Sequence, residues 1–515
     1  MIEDSRDFNL IVIGSGSGLD VANAAAQRGL RVALIEKNRM GGTCLNSGCI
    51  PSKLLIHSAD VMELIRECKT FGININGKIL IDFEKIVSRV NSIVDSKSEE
   101  IQETYGRIEN PKVFYNQCKF VGFKELLLEE INADLTSSNI VKKGNKRRDS
   151  NGNSMNNQRI TARNFLIASG SRPWVPKIAG LNESGFITSD QALRLKTQPH
   201  SLTIIGGGYI CCELAHFFGS LGTKINIIQL RNRLIPSEDE DISKRLTDIF
   251  TKKYNVYLGY STESVSKSNS EGSDSYNHNK EITGNNSSEI YTITARNNSS
   301  GNTIRIESDQ LMVAAGRIPN SDILDLGKTS VELDDRGYIL TDEYLQTNIQ
   351  GIYSLGDVVG KYPFKHSANL EAQYVIHNMI QGQDKVPVDY AAMPHAIFTY
   401  PQIAGVGVTE QSLKQQGQKE NIDYVRSIYP YINTGMGLAI EDHEGFVKFL
   451  VDKESRRILG CHIIGTDASV LIHEVLVAMK TTDSKGNIGT IENIGRTVHI
   501  HPALSEVVAR AASQF

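Results

Sequence analysis

Two cysteines five residues apart, Cys44 and Cys49, lie in the segment GGTCLNSGCIPSK at residues 41–53. On an ideal helix they would be separated by roughly 7.5 Å along the axis, more than the ~6.8 Å upper limit for Cα atoms joined by a disulfide. A bridge therefore requires a distorted backbone, which Gly48 and Pro51 can supply. Because a strained disulfide is easily reduced, the pair is predicted to be redox-active rather than a structural crosslink.

A glycine loop near the N-terminus has the arrangement that binds a pyrophosphate. An apolar strand at residues 9–13 leads into GSGSG, in which Gly14 permits a tight turn and Gly16 allows close approach of phosphates. A helix and a second strand follow, and the strand ends at Glu36, which suits ribose hydroxyl groups. Leu19 occupies the third fingerprint position, usually a small residue, so we expect looser packing between helix and strand there.

The same strand, glycine turn, helix and strand recur from Leu202 to Ile228 around GGG at residues 206–208. Cys211 stands at the third small position of this second loop, and we expect Cys211 and Cys212 to be buried apolar residues of the helix. Two such units predict two nucleotide-binding domains.

Each unit is followed later by a short apolar strand that ends in a turn of small residues, at 165–173 and 311–320. This order predicts a second domain inserted into the first. Two stretches rich in Asn, Ser and Lys, 133–160 and 262–302, are predicted to be surface hairpins or partly disordered loops because they have few apolar residues.

Composition excludes several classes of protein. The 515 residues carry 55 basic and 59 acidic side chains, so the charge gives no sign of nucleic acid or an anionic membrane as a partner. No stretch reaches the ~18 to 20 apolar residues that span a bilayer. The acidic N-terminus does not resemble a signal peptide, and seven sparse cysteines do not form a secreted disulfide framework, so we expect a soluble cytoplasmic protein. No metal site is predicted.

Taken together, the motifs resemble the class I pyridine nucleotide-disulfide oxidoreductase family. The resemblance extends over nearly the whole chain and is carried, besides the cysteine segment and the first loop, by GGGYICCE, VAAGRIPN, SLGDVVG and VHIHPALSEVV in that order. It implies an α/β fold with two Rossmann-like domains, which bind FAD and NAD or NADP, and a C-terminal α+β dimerisation domain. The implied boundaries are 1–173 for the first part of the FAD domain, 174–303 for the NAD(P) domain, 304–365 for the second part of the FAD domain and 366–515 for the dimerisation domain.

The resemblance also implies roles for individual residues. Cys49 would be the thiol next to the flavin, and Cys44 the interchange thiol that meets the substrate. Lys53 and Glu213 would pair near flavin N5, and Asp357 would hold the ribityl chain. The full set of residues predicted to bind a cofactor is Gly14, Gly16, Glu36, Gly42, Thr43, Lys53, Ser169, Gly170, Asp357, Lys365, Gly206, Gly208, Tyr209, Ile210, Glu213, Gln229, Arg231 and Gly316.

Within the same resemblance, Tyr209 stands where many members have an aromatic lid between flavin and nicotinamide. Thiol exchange needs a thiolate, so a base is required, and a histidine held by a carboxylate is suitable near neutral pH. His501 and Glu506 match this base, which in relatives enters the site of the partner subunit, so a homodimer is implied. His499 is expected to be an ordinary satisfied histidine.

Cofactor preference and substrate remain open at this point. Gln229 stands where NAD-preferring relatives carry an acid, and Arg231 and Arg233 could bind a 2′-phosphate or lie in a solvated loop. The cysteine and HPALSE segments resemble dihydrolipoamide dehydrogenase, whereas GSGSG and KHSANLEAQ resemble mycothione reductase equally well. We predict dihydrolipoamide oxidation, with NADPH-dependent reduction of a small disulfide as the alternative. A transhydrogenase or redox-sensing flavoprotein would be a different class, but it typically lacks one cysteine or the histidine.

Overall fold

A computed structural model describes residues 6–130, 158–269, 289–382, 384–483 and 486–515. In these residues the strands are β1 Phe8–Ile13, β2 Val32–Ile35, β3 Lys112–Phe114, β4 Gln117–Gly122, β5 Glu125–Glu129, β6 Arg159–Ile167, β7 Ser171–Pro173, β8 Ser201–Ile205, β9 Lys224–Gln229, β10 Asn255–Leu258, β11 Tyr260–Asn269, β12 Glu289–Asn297, β13 Thr303–Ser308, β14 Gln310–Val313, β15 Arg317–Pro319, β16 Ile352–Ser354, β17 Pro394–Ile397, β18 Gln402–Gly407, β19 Tyr424–Pro430, β20 Phe446–Asp452 and β21 Ile458–Gly465.

The helices of the same residues are α1 Gly18–Gln27, α2 Gly42–Asn46, α3 Cys49–Glu67, α4 Phe83–Gly106, α5 Leu181–Ser184, α6 Ser189–Ala192, α7 Tyr209–Ser220, α8 Glu240–Lys253, α9 Lys365–Val375, α10 Glu410–Gln415, α11 Gly435–Ala439, α12 Ala468–Lys480, α13 Glu492–Gly495 and α14 Glu506–Ala512. The chain divides into two compact units. Unit 1 contains the described residues of Met1–Pro51, Ser88–Trp174 and Arg317–Asp389, and unit 2 those of Ser52–Val87, Val175–Gly316 and Tyr390–Phe515.

Unit 1 is built on one sheet in the order β3-β2-β1-β6-β5-β4, with β16 pairing along β6. The strands β3, β2, β1, β6 and β16 run parallel, whereas β5 and β4 extend the sheet as an antiparallel hairpin. The inner strands β1 and β2 are almost continuously apolar because both faces are covered, as in doubly wound sheets. Two apolar cores therefore lie on opposite sides of this sheet, one including Ile11 and Ile13 and the other Leu10 and Val12.

The first part of unit 2 repeats this pattern on a smaller scale. A parallel sheet has the order β10-β9-β8-β14, and a separate antiparallel sheet has the order β11-β12-β13. The described flanks of the second polar stretch form the antiparallel pair β11 and β12. Residues 133–157 of the first polar stretch and residues 270–288 of the second lie outside the described residues.

The C-terminal part of unit 2 is a five-stranded antiparallel sheet in the order β17-β18-β21-β20-β19. Its core includes Phe449 and Ile463 from the strands, Val475 from α12 and Val508 from α14. These helices pack on the sheet because their apolar residues recur at helical spacing. In the part of the chain that the structure describes, no helix combines the length and apolar character needed to cross a bilayer.

Candidate active site

The two cysteines of the first motif lie at a break between helices. Cys44 belongs to α2, which ends at Asn46, and Cys49 is the first residue of α3. Ser47 leaves the helical region with φ −150° and ψ 30°, and a Cβ on Gly48 would stand 2.9 Å from the Thr43 carbonyl oxygen. The backbone is therefore distorted between the cysteines, at Ser47 and next to the predicted Gly48, whereas Pro51 lies within the first turn of α3.

The break brings the two thiols into hydrogen-bonding contact. The hydrogen bond with Cys49, followed by burial and the charge of Cys49, raises the pKa of Cys44 far above its ordinary value, while the charge of Lys365 acts in the opposite direction. Cys44 is half-buried and Cys49 is exposed. A thiol held protonated in this way needs a base before it can act as a nucleophile.

The first glycine loop has a shape that would allow a dinucleotide to lie close to its backbone. Gly14 has φ +104°, and a Cβ there would lie 2.3 Å from the Ala168 carbonyl oxygen, whereas a Cβ on Gly16 would meet nothing within 4 Å. The space beside Gly16 is what close approach of a pyrophosphate requires. Gly18, and not residue 19, makes the close contact between helix and strand. A Cβ atom added to Gly18 would lie only 2.9 Å from the Val12 side chain.

Glu36 organises this loop from the end of β2. Its Oε2 accepts hydrogen bonds from the Ser15 amide at 3.0 Å and the Ser15 hydroxyl at 2.7 Å, and its Oε1 accepts from the Asn38 amide at 2.8 Å. Ser15 in turn accepts from the Gly41 amide at 3.0 Å. Gly42, with φ +67°, packs against Gly16, so the cysteine segment and the glycine loop are joined. Thr43 follows it and is exposed.

A second group of predicted residues meets at the ends of β6 and β16. Asp357 accepts a hydrogen bond from the Ser171 hydroxyl at 2.6 Å, and Arg317 donates to the same hydroxyl at 2.8 Å. Ser169 is tied to Asn320 through its carbonyl at 2.8 Å, and Gly170 takes φ +69°. Arg317 and Asn320 belong to the VAAGRIPN segment, but neither was assigned a role from the sequence.

Lys365 provides a test of whether unit 1 fits FAD. Its Nζ donates to the Ser17 hydroxyl at 2.8 Å and also to Asn369. Ser17 is the N-cap of α1, where the helix dipole is positive. A cation at this end of a helix is unfavourable unless an anion is also bound, so the pyrophosphate of FAD fits the residues present.

The second glycine loop, in unit 2, likewise has positions at which a larger residue would collide with its neighbours. Gly206 has φ +121°, and a Cβ would lie 2.3 Å from the Ala314 carbonyl oxygen, while Gly208 faces open space. Gly207 packs against the Gln229 side chain, whose Nε2 donates to the Arg233 carbonyl at 3.2 Å. Cys211 and Cys212 are fully buried, as the sequence predicts.

The remaining predicted nucleotide contacts surround this loop. Tyr209 and Ile210 are the first two residues of α7 and are half-buried, and Gly316 takes φ +135°. Arg233 is paired with Glu240 at 2.6 Å, whereas Arg231 is exposed.

Lys53 and Glu213, also in unit 2, form a close ion pair. The Lys53 Nζ donates to both carboxylate oxygens at 2.9 and 2.8 Å. The Phe398 amide donates to Glu213 Oε1 at 3.0 Å, and the Phe398 ring centroid lies 4.6 Å from the Lys53 Nζ. The lysine is therefore held in one position by a carboxylate and an aromatic ring together.

His501 and Glu506 are joined in the same unit, as the HPALSE segment predicts. His501 Nδ1 lies 3.0 Å from Glu506 Oε1, and the Ala503 amide donates to Oε2 at 3.4 Å. The hydrogen bond from His501 holds the pKa of Glu506 below its usual range, so the carboxylate stays ionised. With Nδ1–H directed at the carboxylate, Nε2 is the atom left to accept a proton.

His499 has a carboxylate partner too, since its Nε2 lies 3.1 Å from Glu474 Oε2. Exposure separates the two histidines: 10% of the His499 side chain is accessible, against 74% for His501. His499 is thus a satisfied histidine, and His501 is the one open to a reaction partner.

Comparisons with known proteins agree with this geometry. Residues 8–373 match the model of the pyridine nucleotide-disulphide oxidoreductase family, and residues 393–512 match its dimerisation domain. The chain is 33% identical to dihydrolipoyl dehydrogenase of Chlamydia muridarum, over 98% of this chain and 96% of that protein. It is 30% identical to mycothione reductase of Mycobacterium tuberculosis, over 98% of both chains.

Among solved structures, the fold resembles the Cu(II) complex of the HOCl-induced flavoprotein disulfide reductase RclA from Escherichia coli. The TM-score is 0.77 at 24% identity, with 98% of this chain and 99% of that chain covered. The fold class predicted from the sequence is confirmed, as are an enzymatic function and the use of FAD with NAD or NADP. The chain belongs to the pyridine nucleotide-disulphide oxidoreductase family, with the dimerisation domain of that family at its C-terminal end.

Proposed function

We propose that this enzyme oxidises dihydrolipoamide to lipoamide and reduces NAD+ to NADH, through a disulfide that forms and opens between Cys44 and Cys49. The contact of these two thiols across the break between α2 and α3 is the observation that carries the proposal. Relatives named dihydrolipoyl dehydrogenase, at 33% and 30% identity over almost the whole chain, support the substrate. That substrate would be free dihydrolipoamide or the lipoyl domain of a multienzyme complex.

The thiol steps follow from the geometry of the pair. One substrate thiolate attacks the Cys44 sulfur of the oxidised enzyme, forms a mixed disulfide and releases Cys49 as a thiolate. The second substrate thiolate then attacks the substrate sulfur of the mixed disulfide, so lipoamide leaves and Cys44 is released. Bound FAD supplies a two-electron carrier between the dithiol and NAD+. The two electrons leave as NADH, and both cysteines return to the disulfide.

His501 is proposed as the base that takes the substrate proton, because its Nδ1 is engaged by Glu506 and its Nε2 is available. We also propose the cofactor roles that the resemblance implies for the glycine loops, Asp357, Lys365 and the Lys53–Glu213 pair. The four domain boundaries and a cytoplasmic location belong to the same proposal. The sparse, irregular placement of the seven cysteines suits a reducing compartment.

The proposed assembly is a homodimer in which His501 acts in the partner's site. Val498 and Ile500 alternate with His499 and His501 along the chain, and their apolar side chains are unusually exposed, at 95% and 78%. Val470 and Val477, two turns apart on α12, are exposed at 65% and 66%. Surfaces of this kind are normally covered by another protein chain.

A second candidate is NADPH-dependent reduction of a mycothione-type disulfide. Gln229 does not repel a 2′-phosphate, and Arg231 is exposed next to it, whereas Arg233 is neutralised by Glu240. The relative named mycothione reductase, at 30% identity, supports this reading. Its thiol chemistry is the same sequence of steps in reverse.

A steady-state screen tests the substrate. Dihydrolipoamide with NAD+ and NADP+, and mycothione disulfide and oxidised glutathione with NADH and NADPH, are compared by kcat/KM. We expect dihydrolipoamide with NAD+ to exceed every other pair. A higher kcat/KM for mycothione disulfide with NADPH would replace the first candidate by the second.

Anaerobic titrations with NADH and with NADPH separate both candidates from a flavoprotein without disulfide chemistry. We expect a long-wavelength charge-transfer absorbance after two electrons, since a thiolate is then formed while the flavin is oxidised. Direct bleaching of the flavin at two electrons would contradict the redox role of the cysteines.

A further inference from the structure

Tyr209 is tied to a buried carboxylate at the entrance of the second nucleotide loop. It is the first residue of α7, directly after the glycine turn at 206–208. Its hydroxyl donates to Glu238 Oε1, and the Ser237 hydroxyl lies 3.3 Å from the same oxygen of the tyrosine. Burial, followed by the negative charge of Glu238, raises the pKa of Tyr209 well above its ordinary range, so the phenol remains a donor.

Glu238 has a second partner on its other oxygen. His395 Nε2 lies 2.7 Å from Glu238 Oε2, and the carboxylate is 2% exposed. The rings of His395 and Tyr209 are nearly parallel, at 7°, with centroids 6.3 Å apart. Burial works to raise the pKa of Glu238, but the hydrogen bond and charge of His395 and the Tyr209 hydroxyl outweigh it, and the pKa is lowered.

Hydrogen bonds to the backbone of Glu238 and to the next residue hold this segment in place. The Gln411 amide group donates to the Glu238 carbonyl at 2.7 Å. The next residue, Asp239, is fully buried and accepts from Lys448 at 2.8 Å and from the Glu410 amide at 2.9 Å. Glu238 therefore cannot follow a moving tyrosine, and any swing of the ring must break its hydrogen bond.

A hydrogen bond to a buried, ionised acceptor is among the strongest that a neutral donor makes. A lid that opened in every turnover would have to break this bond each time and leave the buried Glu238 carboxylate without one of its donors. A ring that stays in place lowers the entropy cost of ordering the site when the ligand binds. The contacts around Tyr209 are those of a fixed ring.

We propose that Glu238 and His395 are positioning residues that hold Tyr209 as a fixed wall of the nicotinamide-dinucleotide site, instead of a swinging lid. The inference rests on the proposed function, since it takes the loop at 206–208 as the site of NADH or NADPH. Neither positioning residue needs to touch the cofactor, because both act through the tyrosine ring.

The test compares Tyr209→Phe, Glu238→Gln and His395→Gln in the FAD-loaded enzyme. We expect the KM for NADH or NADPH to rise about three- to tenfold in each, because the released ring must be ordered on binding. The KM of the disulfide substrate and the FAD content should not change. Asp248→Asn, which removes an exposed carboxylate from α8, is the matched control and should behave as the parent enzyme.

The Tyr209→Phe, Glu238→Gln double variant should have a KM close to the higher of the two single-variant values, because both substitutions act on the same Tyr209–Glu238 hydrogen bond. An unchanged or lower KM, or fully additive effects, would overturn the proposal, and a lower KM would mean that the bond holds a lid shut. Ferricyanide as electron acceptor keeps the KM measurable even if the assigned disulfide substrate is wrong. If the enzyme oxidised neither NADH nor NADPH with ferricyanide, both the proposed role of Tyr209 and the proposed nucleotide site would be overturned.

Discussion

At the scale of single residues, the proposed chemistry depends on two thiols and one histidine. Cys44 is half-buried and kept protonated by its neighbour, while the His501 imidazole is largely open. The Cys44 thiol therefore needs a base before it can react, and the Nε2 atom of His501 is accessible to a reaction partner.

Replacing either redox cysteine by serine should stop thiol turnover. We expect Cys44→Ser and Cys49→Ser each to lower kcat by about a thousandfold or more, since serine cannot form the disulfide. FAD content should be unchanged. Cys68→Ser is the control, because Cys68 is half-buried and outside the motif; activity in either redox variant comparable to that control would refute the mechanism.

His501→Gln should lower kcat/KM for the thiol substrate by about 10² to 10⁴, the usual contribution of a general base. Glu506→Gln should have a smaller effect in the same direction, because the ring keeps its base but loses the carboxylate that orients it. His499→Gln serves as the comparison and should stay near the parent value. The measurement is steady-state kinetics with saturating nicotinamide, and equal losses at His499 and His501 would contradict the assignment.

At the scale of elements, glycines occupy the turns at which any side chain would collide with a backbone carbonyl group. Gly14 and Gly206 occupy equivalent positions in the two loops, each with a positive φ and a carbonyl oxygen 2.3 Å from where a Cβ would be. Gly18 then brings α1 against β1. These contacts decide where the N-terminus of each helix points, and therefore where phosphates can bind.

Gly14→Ala should weaken FAD binding, since the new methyl group meets the Ala168 carbonyl and the loop must shift. We expect a rise in the FAD dissociation constant of about tenfold or more, the order of change that a few tenths to one ångström of misplacement brings in a preorganised site. Flavin absorbance per protein after dialysis measures it. Gly29→Ala is the matched control: its φ of +76° is also strained, but no atom lies within 4 Å.

A buried lysine connects α8 and α10 to strand β20. Lys448 is inaccessible and donates to Asp239 at 2.8 Å and to Asp241 and Glu410 at 2.6 Å. Lys448→Met should destabilise the enzyme by about 3–5 kcal/mol, because buried carboxylates lose their counter-charge. Thermal unfolding of the FAD-loaded enzyme would show this as a lower Tm, and an unchanged Tm would contradict it.

The same cluster predicts a loss of stability in acid. Burial works to raise the pKa of Glu410, but hydrogen bonds from Lys414 and Lys448 prevail and lower it to about 2. A carboxyl group with a lowered pKa contributes stability that is complete above its unfolded value, about 4.3, and disappears as the pH falls to 2. Glu410→Gln should therefore lose less Tm than the parent between pH 4.5 and pH 2.5; parallel curves would refute this.

At the scale of the whole molecule, the exposed apolar side chains beside His501 allow a test of whether the proposed dimer shares the proposed active site. Val498→Asp and Ile500→Asp place charges on a surface that we propose to be buried between two copies. We expect monomers in sedimentation velocity, retained FAD and loss of thiol turnover. Phe123→Asp, at an apolar side chain 66% exposed in unit 1, is the control. Monomers that remain fully active would disprove a shared site.

The sequence by itself predicted the Cys44–Cys49 pair, the two glycine loops and the His501–Glu506 pair, because each is a local pattern whose meaning depends on neighbouring residues. It also predicted the broken backbone between the cysteines, since helix geometry forbids the bridge otherwise. Only the tertiary structure decided that Gly18 compensates for Leu19, that Lys448 is buried among carboxylates, and that Tyr209 is held by Glu238 and His395. Lys448 and Asp239 are separated by 209 positions in the sequence, and His395 and Glu238 by 157 positions. No short sequence pattern encodes contacts between residues so far apart.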